Sequence, residues 1–329
     1  AQVETAIPAF IGFTEKATNV KTDDLVLVPK RITSLKEYEK YFGNANRESV
    51  AVSIGETLSA TDEVVSRDIS ITSNFTVKFF MYYQLQMYFA NGGGPCYITS
   101  VGKYSAAPNP AALLSESEKG LKVVEGKDEP TLIVFTDTPL MTAEARYGLA
   151  NKALAQSGKL MDRIALIDVI KNPGKTVVED MTAFRAAPEI GTSYLSYGAC
   201  YYPPLESSLL PHYQDADITL SVVAGSSATT LSHDGITLAA LQPLDESLYR
   251  VVKNALSEKI LEHQLVLNPS GAVAGVYATV DASRGVWKAP ANVSLSSVNA
   301  LSVNVTNDDQ SVMNVDPGSG KSVNAIRGF

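Results

Sequence analysis

The chain has 329 residues, 45% of them hydrophobic and 19% charged, which is typical of a folded globular protein and not of a disordered one. Its net charge is -8 at pH 7 and no stretch is rich in Lys and Arg, which argues against nucleic acid and anionic membranes as partners. No apolar run approaches the ~20 residues that a spanning helix needs, so membrane insertion by this chain is not expected.

The first strand is predicted at Ala6 to Thr14, which is apolar nearly throughout, as in a strand covered on both faces of a sheet. The following segment, residues 15–73, is more polar and is predicted to be a peripheral elaboration. Within it, Ser34 and Glu37 have the spacing of a capping box and predict a short helix that runs to about Tyr41.

A helix, a glycine turn and a strand are predicted between Val77 and Val101. Apolar residues recur at helical spacing over 77–89 and predict an amphipathic helix. The run Asn91-Gly92-Gly93-Gly94 ends that helix, and CYITSV (96–101) predicts a buried strand. A phosphate-binding loop needs the reverse order, a strand, then glycines, then a helix. The turn is therefore predicted to be a tight junction in a core.

Alternating strands and helices are predicted further along the chain. Residues 103–130 are interpreted as a surface connection with one short helix. Buried strands and the helices between them are predicted at 131–136, 142–156, 163–169, 177–187 and 198–203. Five apolar strands with interleaved helices predict an α/β fold with a mostly parallel, helix-covered sheet.

In the last third of the chain the regular alternation of predicted strands and helices stops. Residues 204–243 are interpreted as an inserted loop region, and short strands are predicted after residue 293. Asp245 is predicted to open a long helix that ends before Asn268-Pro269. Its apolar face is predicted to consist of Leu248, Val251, Val252, Ala255 and Ile260.

Histidine and cysteine do not form a recognisable site in the sequence. None of His212, His233 and His263 has a second histidine or a cysteine at metal-ligand spacing, so no metal site is predicted. Cys96 and Cys200 lie within apolar strand-like runs and are predicted to be reduced packing residues rather than nucleophiles.

Other motifs for chemistry are incomplete. The segment 317–322 looks like a P-loop, but Val315 stands where that motif needs a glycine. Asp168 would lie at the carboxyl edge of the sheet, where α/β enzymes keep catalytic groups, but a capping role is preferred. Asp281 and Arg284 are interpreted as a structural pair or as interface charges. No catalytic, cofactor-binding or metal-binding residue is therefore predicted, and no cofactor.

Four sequence blocks resemble the contractile tail sheath family, which covers phage tail sheaths, R-type pyocins, type VI secretion sheaths and extracellular contractile injection systems. They occur in the family's order and span nearly the whole chain. The second and fourth blocks are specific in combination. The blocks are PAFIGFTEKA (8–17), FFMYYQLQMYFANGGGPCYITSVG (79–102), SYGACYYPPL (196–205) and PSGAVAGVYATVDASRGVWKAPAN (269–292).

The resemblance implies a structural protein and not an enzyme. Sheath subunits polymerise helically around an inner tube and contract to drive the tube through a target envelope. The implied core is subtilisin-like without protease activity, with peripheral β-rich elaborations. The implied partners are identical subunits, the inner tube protein, and baseplate and terminal cap proteins. The implied localisation is synthesis in a bacterial cytoplasm, followed by release of the particle outside the cell.

The resemblance also implies a domain organisation. The sheath core is expected at residues 1–14 and 74–329, with a loop insertion at about 204–243, and residues 15–73 are expected to be peripheral. The family's N-terminal arm and C-terminal domain, which exchange strands between subunits, are expected to be absent from this chain.

The sequence leaves two other function classes as alternatives. One is an α/β hydrolase-like enzyme that uses Asp168, a histidine and a cysteine or serine. The other is a sugar- or nucleotide-binding module with the glycine turn as its site. The absence of a G-x-S-x-G elbow, the incomplete P-loop and the reversed glycine order weigh against both.

Overall fold

The computed structural model describes residues 5–61, 63–71, 75–105, 108–224 and 233–327. The chain forms two compact units. Unit 1 comprises the described parts of Ala1–Ala45, Lys78–Ser208 and Val266–Phe329, and unit 2 those of Asn46–Val77 and Leu209–Leu265. Within the described residues, no helix combines the length and the apolar character needed to cross a membrane.

In unit 1 the described strands mostly alternate with helices along the chain. Unit 2 is smaller and also contains both strands and helices. The strands are β1 (Pro8–Thr14), β2 (Lys30–Ile32), β3 (Val50–Leu58), β4 (Val64–Ile71), β5 (Cys96–Lys103), β6 (Leu132–Phe135), β7 (Ile164–Asp168), β8 (Gly198–Tyr202), β9 (Leu205–Ser207), β10 (Ile218–Ala224), β11 (Leu265–Leu267), β12 (Val298–Leu301) and β13 (Asn324–Ala325). The helices are α1 (Leu35–Phe42), α2 (Met81–Ala90), α3 (Pro110–Glu125), α4 (Ala143–Leu160), α5 (Val177–Ala186), α6 (Leu238–Leu241), α7 (Glu246–Glu262), α8 (Ser270–Arg284) and α9 (Asn307–Asn314).

Unit 1 is built on a seven-stranded sheet with the strand order β13-β8-β7-β6-β1-β5-β2. Every neighbouring pair is parallel except β2 and β5, which are antiparallel. β1 is an interior strand, with Phe10 opposite Ile98 of β5 on one side and Val134 of β6 on the other. The predicted mostly parallel, helix-covered sheet is therefore confirmed. A second, three-stranded sheet has the order β11-β9-β12.

Helix termini follow the predicted capping residues. The side chains of Ser34, Thr142 and Asp245 each accept a hydrogen bond from a backbone N–H in the first turn of α1, α4 and α7. The end of α4 differs from the prediction, because the helix continues past Gly158 to Leu160. α8 and α9, which were not predicted, are also helical.

The helix predicted over 77–89 begins later and is not amphipathic. α2 begins at Met81, and its polar Gln84 is as fully buried as Leu85. The reason is that α2 packs against both β1 and α8, so its two opposite faces are covered. The helical spacing of apolar residues in the sequence does not indicate that α8 covers a second face of α2.

The prediction for residues 103–130 is wrong in extent. The region contains α3, a helix of 16 residues, which begins with Pro110 in its first turn and the cap Asn109. Leu113, Leu121 and Val124 are buried on one side, while charged residues occupy the other. The prolines and glycines that suggested a loop stand near the helix ends or in close packing.

Unit 2 contains a three-stranded sheet with the order β10-β3-β4. β10 and β3 are parallel, and β3 and β4 are antiparallel. α6 packs on β10 and α7 packs on β4. The buried side of α7 is formed by Leu248, Val252, Leu256 and Ile260, whereas Val251 is 51% exposed. The predicted apolar face of α7 is therefore right at three positions and wrong at Val251.

The unit boundaries differ from the predicted ones. Residues 15–45 lie in unit 1, where β2 extends the large sheet. β3 and β4, expected in the peripheral segment, pair with β10 from the expected loop insertion, and α7 joins them in unit 2. Pairing between segments so distant in the sequence leaves no local signal, so the sequence does not predict that they form one unit.

Candidate functional site

The carboxyl edge of the large sheet is where α/β proteins usually carry their chemistry. Here Asp137 lies two residues beyond the end of β6, and β7 ends at Asp168. Both side chains are buried, at 2% and 6% exposure. We call the polar cluster formed by these carboxyl groups and their partners the edge cluster.

Asp168 caps a helix. The backbone N–H of Ser270, at the start of α8, donates to Asp168 Oδ1 over 2.9 Å. Burial raises the pKa of Asp168 to about 6, against the opposing effects of the Arg146 charge and the Ser270 hydrogen bond. The prediction that Asp168 caps the next element of the chain is wrong, because Thr176 caps α5 and Asp168 accepts the N–H at the start of α8 instead.

Arg146 connects the cluster across three elements. Its Nη2 donates to Asn268 Oδ1 over 3.3 Å, and Asn268 Nδ2 donates to Thr138 Oγ1 over 3.1 Å. Gln84 of α2 donates through Nε2 to the Asn268 carbonyl over 3.0 Å and accepts the N–H of Gly271 over 2.9 Å. These bonds tie α2, α4 and α8 to the sheet edge.

Asp137 connects the ends of two further segments. Its Oδ2 accepts the N–H of Phe13 and its Oδ1 accepts the N–H of Phe80, each over 2.8 Å. Burial raises its pKa to about 6, and these backbone hydrogen bonds oppose the shift. Asp137 is not among the residues predicted from the sequence, although an acidic residue at the end of a buried strand is the same signal that indicates Asp168.

The edge cluster leaves little space for a ligand. A cavity of about 20 Å³ lies beside Thr138, Arg146 and Asp168, which is room for about one water molecule. The first turn of α8 and the Gln84 side chain occupy the space above the strand ends. The arrangement therefore joins secondary-structure elements through hydrogen bonds between buried polar groups.

The cysteines and histidines singled out in the sequence are used for packing and local contacts. Cys96 is buried in β5 and Cys200 is half-buried in β8. His233 Nε2 lies 4.0 Å from Asp245 Oδ2, and the ring centroids of His263 and Phe75 are 5.4 Å apart. Across the part of the chain that the structure describes, no group of three or more His, Cys, Asp or Glu side chains could hold a metal ion.

Both thiols are expected to react slowly in the folded protein. Burial raises the pKa of Cys200 to about 12 and that of Cys96 even further. At pH 8 the native thiols should react with an aromatic disulfide reagent roughly a thousandfold more slowly than an exposed cysteine. Both should react at the normal rate in denaturant. A thiol that reacts rapidly in the native protein would contradict this and favour a nucleophilic role; a Cys200→Ser variant identifies which one.

The P-loop-like segment 317–322 also has a structural role. Lys321 Nζ donates to the carbonyl oxygens of Arg185 and Ala187, over 3.0 and 3.3 Å, at the end of α5. Its backbone N–H donates to Asp316 over 3.1 Å. The lysine that would bind a phosphate in a P-loop is thus committed to the free carbonyl groups of a helix end.

The glycine turn packs against α8. Gly92 has a φ of +84° after the end of α2, a conformation that favours glycine. A Cβ placed on Gly275 would lie 2.4 Å from the Tyr88 carbonyl oxygen, and one on Gly271 would lie 2.7 Å from that of Gln84. The second and fourth sequence blocks therefore form one helix pair whose backbones are in contact. Asp281, further along α8, accepts a hydrogen bond from Thr5 Oγ1 over 2.8 Å.

The two edges of the large sheet are short. β2 has three residues and β13 has two, and each has one neighbouring strand. An edge strand offers free main-chain N–H and C=O groups to which another strand can be added. In unit 1 these edges are places where another chain could pair with the sheet.

Comparison with solved structures gives whole-chain matches. A chain in the cryo-EM structure of the anti-feeding prophage (AFP) helical sheath in its contracted state is 23% identical, with a TM-score of 0.52 over 100% of this chain. The chain is sheath-like in fold. A chain of the six-fold symmetrised AFP baseplate is 24% identical over 99% of this chain with a TM-score of 0.53, and one of the contracted AFP baseplate is 20% identical over 100% with a TM-score of 0.58.

The sheath-like chain spans 59% to 62% of the length of these three chains. No family model matches it, and no curated protein matches it. The resemblance inferred from the four sequence blocks is confirmed at the level of the fold.

Proposed function

We propose that this chain is a structural subunit of a contractile sheath, which polymerises helically around an inner tube and contracts to drive the tube through a target envelope. The observation that carries the proposal is the match over the whole chain to a chain of the contracted AFP helical sheath. The two baseplate matches support contact with baseplate proteins at one end of the sheath. A terminal cap protein is the proposed partner at the other end.

The edge cluster supports a role without catalysis. Asp168, the residue a hydrolase would use, accepts the backbone N–H of Ser270 and faces the charge of Arg146. The hydrolase alternative needs a base, a nucleophile and an oxyanion donor around a substrate-sized cleft. The cavity at this edge has the size of a single water molecule. A subtilisin-like arrangement that has lost its protease activity agrees with this filled edge.

Assembly and contraction follow from ordinary interface physics. A head-to-tail contact that does not close into a ring generates a helix of indefinite length. Strands added at sheet edges keep their main-chain hydrogen bonds while subunits rotate as rigid bodies. Contraction releases free energy stored in a kinetically trapped lattice, so no nucleotide or cofactor is consumed. The particle is assembled in a bacterial cytoplasm and acts after release outside the cell.

Electron microscopy of the purified full-length protein that contains this chain tests the proposal. The expected result is long hollow cylinders with a helical repeat, formed with the tube protein present. Discrete particles that remain monomeric at high concentration would contradict it. Hydrolysis of ester or peptide substrates by such monomers, lost in Asp168→Asn, would favour the enzyme alternative.

A further inference from the structure

One loop of unit 1 exposes the only tryptophan of the chain. Trp287 is 81% exposed and Val286 is 66% exposed, just after Gly285 ends α8. Arg284 and Lys288 flank this apolar pair. We call residues 284–288 the Trp287 loop. A large aromatic side chain left in water is costly, and tryptophan and arginine dominate the binding energy of protein interfaces.

One face of α7 in unit 2 has the matching character. Val251 is 51% exposed and Leu261 is 69% exposed, and both lie on the side of the helix opposite the buried Leu256. The exposed Glu258 lies between them at helical spacing, and the exposed Glu262 follows. We call this the outer face of α7. Glu262 is paired with Lys259 over 3.0 Å and Arg250 with Glu246 over 2.9 Å. Among the described residues, the unpaired negative charge of this face is therefore that of Glu258, whereas the Trp287 loop carries positive charge.

The net charge of the chain is also divided unequally between the two units, with most of the negative charge in unit 2. Unit 2 contains 12 of the 35 Asp and Glu residues but 5 of the 27 Lys and Arg residues, so its net charge is -7 of the total -8. Unit 1 therefore carries a net charge of -1. Two unit 2 surfaces repel each other, while a locally basic loop of unit 1 is attracted to unit 2 of another molecule.

We propose that the Trp287 loop of one molecule docks on the outer face of α7 of a second copy of this chain. Trp287 and Val286 pack against Val251 and Leu261, and Lys288 lies at the rim opposite Glu258. Different surfaces meet in this contact, so it is heterologous, and repeated copies propagate into a helix. The proposal rests on the proposed sheath function, and it assigns one of the subunit contacts to named residues.

Fluorescence of Trp287 tests the contact directly, in a full-length protein in which any tryptophan outside these 329 residues is replaced by phenylalanine. The full-length protein is followed from dilute subunits to assembled particles. The emission of Trp287 should shift to shorter wavelengths and become protected from an aqueous quencher on assembly. Trp287→Ala should weaken association about 30-fold, the effect expected of a central aromatic anchor. Val20→Ser is the matched control, because Val20 is also in a loop of unit 1 and is 82% exposed. It should change association less than about threefold.

A charge exchange tests which surface receives the loop. Lys288→Glu should weaken association about fivefold at low salt, as expected for a rim ion pair. Adding Glu258→Lys to the same chain should restore association. In the double variant, Glu at position 288 of one copy faces Lys at position 258 of the next, so the two charges are again opposite. Asp68→Lys, an exposed site on β4 of the same unit, is the matched control and should not restore it.

The outcomes separate this inference from the proposed function. The contact is overturned if hollow cylinders form but Trp287 stays accessible to the quencher. It is also overturned if the Trp287→Ala variant forms cylinders as readily as the wild type. Either result is still consistent with the sheath function. Tryptophan burial without rescue by Glu258→Lys overturns the outer face of α7 as the docking surface. Absence of any self-association overturns both proposals. Circular dichroism and melting temperature verify that each variant is folded.

Discussion

Replacing Gly275 by alanine is expected to lower the free energy of unfolding by about 3 kcal/mol. Gly275 lies in α8 with its Cα against the backbone of α2, and an added Cβ would lie 2.4 Å from the Tyr88 carbonyl oxygen and 2.9 Å from the Asn91 Cβ. A carbonyl oxygen of a buried helix cannot rotate away as a flexible side chain can, so the two helices must separate. Urea denaturation of the wild type and the variant measures the loss.

Gly148→Ala is the matched control for this substitution. Gly148 also lies inside a helix, α4, but a Cβ there would have no atom within 4 Å. Alanine should therefore stabilise the protein by about 0.5–1 kcal/mol, through the better helix propensity alone. Equal effects of the two substitutions would show that the contact between α2 and α8 is looser than described.

Replacing Arg146 by methionine is expected to cost about 3–5 kcal/mol at pH 8, because it leaves the Asp168 carboxylate buried without its counter-charge. Arg146 is 8% exposed, and burial lowers its pKa against the opposing charge of Asp168. Methionine has a similar length and keeps most of the packing. The lost hydrogen bond to Asn268 adds to the cost.

The loss should depend on pH with a definite sign. The pKa of Asp168 is about 6 in the folded protein, above its ordinary value of 3.8, so the folded state binds the proton more tightly than the unfolded state. This contribution to stability is present below pH 4 and is lost as the pH rises through 6. Without Arg146 the folded pKa rises further, so Arg146→Met should cost less at pH 5 than at pH 8.

A double-mutant cycle separates charge from packing. Asp168→Asn keeps an oxygen for the Ser270 N–H and removes the charge. The double variant Arg146→Met/Asp168→Asn should be more stable than Arg146→Met at pH 8 by about 2 kcal/mol. Its stability should vary less between pH 5 and 8 than that of the wild type. If Arg146→Met costs the same at both pH values, Arg146 acts through packing and not through the charge of Asp168.

The sequence indicates one residue of the candidate site, but not which residues bond to one another there. The sequence predicts Asp168 at the sheet edge in a capping role, but for the element that follows it in the chain. Its actual partner, Ser270, is far away in the sequence. Arg146 and Asn268 were not singled out, since nothing in their local sequence shows that two helix segments and the sheet edge meet at that point.

The sequence by itself determined five of the seven strands of the large sheet, the helix caps at Ser34, Thr142 and Asp245, and the resemblance that the fold comparison supports. These are properties of apolar runs and of side chains that bond within three or four residues. The tertiary structure alone decided that α2 packs against both β1 and α8, that β3 pairs with β10 in a separate unit, and that Trp287 is 81% exposed. Such features depend on which distant segments meet, and the free energy of those contacts has no local signature.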